Sequence, residues 1–153
     1  MSVEVGISRL KQNAKGKETM IDGRCCCGAV RFQLKRPPKL MGTCHCSRCR
    51  RLGIATFAFV RREDFAFVSG EASVEVYAPE APYRYTRSFC RRCGTALGEL
   101  IGDAETFPVN VNCLENPPAL SNAFHEFVAD KPGWYEIADA APQFPGHPEL
   151  ADG

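Results

Sequence analysis

The chain has 153 residues, 44% hydrophobic and 24% charged, with a formal net charge of +1. Those values suit one globular domain with a buried core and argue against partners held by bulk charge, such as nucleic acid or an anionic membrane. No stretch approaches the ~18 consecutive apolar residues of a membrane span, and Met1 to Lys17 lacks the apolar centre of a secretory leader, so a cytoplasmic location is expected.

Residues 1–19 are polar and weakly patterned, and read as an N-terminal extension. From Met20 the chain reads as short strands broken by turn residues. Ala29 to Leu34 alternates, with Val30, Phe32 and Leu34 on one face, and Pro37-Pro38 ends it. Ser47 to Leu52 predicts a single helical turn. Ile54 to Val60 and Phe65 to Val68 are runs of β-forming residues, the second closed by Ser69-Gly70. Val74, Glu75 and Val76 continue the alternation into Tyr77. Arg84 to Phe89, Thr95 to Ile101, Phe107 to Val111, Phe124 to Val128 and Trp134 to Ile137 complete the predicted strands. Pro117-Pro118 and Lys131-Pro132-Gly133 are breaks. The expectation is a mainly β domain over 20–139, followed by a Pro-rich tail, 140–153, extended on the surface.

Cysteine is the outlier. Nine are present, at positions 25, 26, 27, 44, 46, 49, 90, 93 and 113. An odd number without a leader points to metal ligands rather than a disulfide framework. They cluster as Cys25-Cys26-Cys27-Gly28, Cys44-His45-Cys46-Ser47-Arg48-Cys49 and Cys90-Arg91-Arg92-Cys93-Gly94. Read as strand, Cys25 and Cys27 face one way and Cys26 the other. Gly94 admits the positive φ that lets backbone wrap a metal. The first and last pairs make a closed set of four thiolates, the arrangement of a structural zinc. The middle array offers three thiolates and no obvious fourth ligand, which leaves the open position of a catalytic zinc. Spacing alone also allows other divisions, and iron accepts similar thiolate sets. His45 is either a fourth ligand or a hydrogen-bonding residue. An extended backbone turns it away from Cys44 and Cys46 and favours the second role. Cys26 and Cys113 read as small buried hydrophobes. Arg48, Arg50, Arg51, Arg91 and Arg92 offset thiolate charge; in a sharper reading Arg50 or Arg51 captures a substrate carboxylate.

Four segments carry a resemblance: Gly23-Arg24-Cys25-x-Cys27-Gly28-x-Val30-x-Phe32, Cys44-His45-Cys46-x-x-Cys49-Arg50, Arg87-x-Phe89-Cys90-x-x-Cys93-Gly94, and Pro132-x-Trp134-x-Glu136-Ile137-x-Asp139 with Pro142-Gln143-Phe144. Together they resemble the glutathione-dependent formaldehyde-activating enzyme family, to which centromere protein V is related. The resemblance implies a β-tent fold of short antiparallel strands built around a structural zinc on Cys25, Cys27, Cys90 and Cys93. It implies a second, more labile zinc on Cys44, Cys46 and Cys49. It also implies a carbon–sulfur lyase that joins a small thiol such as glutathione to a small carbonyl compound, formaldehyde, giving S-hydroxymethylglutathione. The alternative is a non-catalytic zinc module for protein or nucleic-acid interaction, motivated by the arginines and the centromere kinship.

Overall fold

Alternating burial turns the apolar pattern into strands, and the strands pair into two sheets. The computed structural model describes residues 20–115 and 119–148. The extension at 1–19, the Pro117-Pro118 break and the end of the tail lie outside them. In chain order the elements are β1 (Ile21–Arg24), β2 (Arg31–Leu34), β3 (Leu40–Cys44), α1 (Ser47–Arg51), β4 (Thr56–Arg61), β5 (Phe65–Ser69), β6 (Val74–Tyr77), β7 (Arg87–Cys90), β8 (Ala96–Gly98), β9 (Thr106–Asn110) and β10 (His125–Glu126), with short 3-10 turns between some of them. The fold is mainly β, as the sequence pattern requires.

A smaller sheet runs β1-β2-β5 and a larger one β10-β3-β4-β9-β8-β7-β6. Neighbours are antiparallel, except that β10 lies parallel to β3. Val30, Phe32 and Leu34 are all buried, the face their alternation predicts, and pack with Val60, Leu97, Phe107 and Val109 in one core. Phe65 ties the two sheets together, its ring 5.3 Å from those of both Phe32 and Phe107. Each such side chain contributes about 1.5–3 kcal/mol of burial.

Two strands, β1 and β3, lie outside the strands the sequence pattern predicts. One predicted strand does not form: Trp134 to Ile137 makes no ladder, because Pro132-Gly133 turns the chain and the Tyr135 amide bonds back to the Pro132 carbonyl at 3.1 Å. Trp134 is 79% exposed there. The start of the tail is extended but not free. Residues 142–146 run beside β10, with the His125 amide on the Pro142 carbonyl and the Phe144 amide on the His125 carbonyl, each at 2.8 Å. Among the described residues no helix is long and apolar enough to cross a membrane.

Candidate metal centres

The first cluster forms where two tight turns face each other. β1 ends at Arg24 and the chain turns at once. The Gly28 amide bonds the Cys25 carbonyl and the Cys25 amide bonds the Val30 carbonyl, both at 3.1 Å. β7 ends at Cys90 in the same way, with the Gly94 amide on the Cys90 carbonyl at 2.8 Å. Gly28 and Gly94 hold φ of 76° and 75°, a region that costs a side-chain-bearing residue about 1–2 kcal/mol. Cys25 and Cys27 are therefore neighbours through a turn, not through strand alternation.

The sulfurs of Cys25, Cys27, Cys90 and Cys93 all lie within 4.8 Å of one another. Sγ of Cys27 is 3.6 Å from Sγ of Cys25 and 3.9 Å from Sγ of Cys90. These distances exceed the ~2.05 Å of a disulfide and match the ~3.8 Å edge of a tetrahedron with Zn–S near 2.3 Å. The Val30 amide donates to Cys25 Sγ at 3.3 Å. Thr95, which sequence reasoning missed, links the turns: its hydroxyl accepts from the Cys26 amide at 3.0 Å and contacts Cys93 Sγ at 3.1 Å. With that bond it holds the Cys93 thiol down to about 5. Cys26 corrects the sequence reading, because it is exposed at the tip of its turn. Cys113 is buried as expected, and burial pushes its thiol up to about 12.

The second cluster is local. Cys44 closes β3, and Cys46 caps α1 with its Sγ accepting from the Cys49 amide at 3.3 Å. The one-turn helix then brings Cys49 under the same point. The sulfurs of Cys44, Cys46 and Cys49 lie within 4.8 Å of one another. Hydrogen bonds from Cys44 and Cys49 hold the Cys46 thiol far below its usual range. The same contacts, with burial, push the Cys44 thiol far above it. Three sulfurs this close cannot all ionise without a cation among them, and a divalent metal is the cation that suits thiolates.

Arg87 sits against this cluster. Buried, it donates through Nη2 to Cys49 Sγ at 3.4 Å and through Nη1 to Glu99 at 2.7 Å. It is part of the quoted flank before Cys90, but its sequence position gives no hint that it reaches Cys49. The arginines singled out from sequence lie elsewhere. Arg50 and Arg51 are exposed on α1. Arg48 stacks over Tyr83, 4.2 Å from the ring centre, and Arg91 pairs with Glu75. His45 points away from the sulfurs and bonds His125, Nε2 to Nδ1, at 2.8 Å.

Residues 20–130 match the family described as glutathione-dependent formaldehyde-activating enzyme. A curated protein of Halomonas elongata, provisionally named as such an enzyme, is 29% identical over 147 residues, 85% of this chain and 90% of its own length. A crystal structure of a Rhodobacter sphaeroides protein is similar at a TM-score of 0.52 and 31% identity, covering 64% of this chain and 91% of that one.

Proposed function

Because the chain belongs to the glutathione-dependent formaldehyde-activating enzyme family, we propose that it joins a small thiol, glutathione or a relative, to a small aldehyde such as formaldehyde, with zinc on both cysteine clusters. The observation that carries this reading is the gathering of Cys44, Cys46 and Cys49 with no fourth cysteine, histidine or carboxylate ligand among the described residues. A zinc ion on three thiolates keeps a position for an incoming thiol and favours its thiolate at neutral pH.

The chemistry needs no oxidant. The thiol gives up its proton, its sulfur lone pair forms the new bond to the carbonyl carbon, and the carbonyl oxygen takes a proton to become the hydroxymethyl group. This chain's residues hold and neutralise the site. Arg87 offsets the charge on Cys49. Arg50 and Arg51 offer exposed guanidinium groups for a substrate carboxylate. The four-cysteine cluster is structural, the catalytic domain spans 20–139, and the protein works in the cytoplasm.

Formaldehyde and glutathione also combine without a catalyst, and NMR exchange spectroscopy measures the rate. Zinc-loaded protein is expected to raise it, and Cys46→Ser to abolish the increase while the fold persists. A fully loaded protein that leaves the rate at its spontaneous value would overturn the reading.

A further inference from the structure

Asp139, His125 and His45 form a chain of hydrogen bonds that ends between Cys44 and Cys46. The Asp139 carboxylate meets His125 Nε2 at 2.9 and 3.1 Å through its two oxygens. It also accepts from the Ala141 amide at 2.9 Å, and the Asn122 amide group donates to it at 3.4 Å. The Ala141 and His125 bonds hold the Asp139 carboxyl below its usual range, so it accepts. His125 Nε2 also lies 3.0 Å from the Asn122 amide group, and its Nδ1 is 2.8 Å from His45 Nε2, so that one imidazole donates to the other. Both rings are buried and stack with centroids 5.0 Å apart, and the Tyr135 ring flanks His45 at 5.4 Å.

The backbone repeats the connection. The His45 amide donates to the Glu126 carbonyl at 2.9 Å, and the Thr43 amide to the Phe124 carbonyl at 3.0 Å. The arm bearing Cys44 and Cys46 is thus fastened to β10, which is itself fastened to residues 142–146. The four-cysteine cluster is held differently: Thr95 links its two turns, and the Arg91 amide fastens the second turn to the Ser73 carbonyl at 2.9 Å, with no histidine–carboxylate chain among the described residues. A site with three protein ligands needs its geometry fixed from outside the ligand set, which is what hydrogen-bonded outer residues do.

We propose that Asp139, His125 and His45 are positioning residues that hold the Cys44–Cys46 arm in ligating geometry, so that the C-terminal segment sets the metal affinity of the three-cysteine site alone. The inference rests on reading that cluster as a metal site. Cobalt(II) is the probe, because its thiolate charge-transfer and ligand-field bands report each site's coordination. The full chain is titrated with cobalt and then stripped by a chelator, wild type beside Asp139→Asn, His125→Asn and Asp139→Glu.

Wild type should take up two equivalents. Asp139→Asn and His125→Asn should weaken one equivalent by about ten- to a hundredfold and alter its ligand-field bands, leaving the other equivalent and the circular dichroism unchanged. Asp139→Glu should recover part of the loss. Unchanged affinities and bands in both asparagine variants would overturn the proposal, as would equal loss at both sites, which marks a general structural role. A wild-type protein that binds a single equivalent would instead remove the metal reading of the three-cysteine cluster, and the positioning role with it.

Discussion

Cys26 and Cys113 show how far position decides the behaviour of one side chain. Both lie outside the two sulfur clusters; Cys26 is exposed and Cys113 buried. With metal bound, a maleimide at pH 7 should label Cys26 fast and Cys113 only on unfolding, read by mass spectrometry. The pH dependence follows from burial, which raises the folded-state Cys113 thiol to about 12 from an ordinary value near 9.0. Between those values the unfolded chain has lost the proton and the folded chain has kept it, so stability is complete below pH 9 and falls as pH climbs towards 12. Cys113→Ala should flatten that alkaline decline in denaturant titrations. If wild type and variant decline in parallel, burial of this thiol is not the cause.

Among the elements, β8 is tightly constrained by its neighbour. Gly98 has φ of 108°, and a Cβ there would lie 2.3 Å from the Pro108 carbonyl oxygen on β9. Gly98→Ala should therefore destabilise the metal-loaded protein by at least about 1–3 kcal/mol, seen as a lowered denaturation midpoint. An unchanged midpoint would mean that β9 yields freely. The sequence predicts this strand as Thr95 to Ile101, and only its middle forms a ladder, as a glycine inside an apolar run tends to cause. A strand whose alternation survives, such as β2 with Phe32 and Leu34 buried, is legible. β3 was not, because Leu40-Met41-Gly42-Thr43-Cys44 buries three consecutive residues at its end and so shows no period of two. The clustering of the cysteines was legible from spacing, although for the first pair the physical cause is a turn. Arg87, Thr95, His125 and Asp139 were not legible in their roles, since each acts across a fold that brings distant segments together.

At the scale of the whole molecule, the four-cysteine cluster joins the end of β1 in the smaller sheet to the end of β7 in the larger one. Structural zinc supplies on the order of 10–16 kcal/mol of folding free energy, and a domain of ordinary stability has about 5–15 kcal/mol in total. Losing that site should therefore unfold the chain. Cys90→Ser should aggregate or lose its circular dichroism, and chelation of wild type should do the same. Cys46→Ser should stay folded with one metal equivalent fewer. Equal damage from both substitutions, judged by dichroism and metal content, would dissolve the distinction between a stapling site and a working one.

The separation of donors along the chain has a consequence for biosynthesis. Cys27 and Cys90 are 63 positions apart, whereas Cys44 to Cys49 leave the ribosome almost together. During synthesis the three-thiolate group is complete early and can load an ion while its eventual scaffold is still being made. Cys25 and Cys27 must wait, uncapped, for the arrival of Cys93. In that interval they are open to oxidants and to wrong partners, so under the proposed metal assignment the nascent chain is most vulnerable at its stapling site.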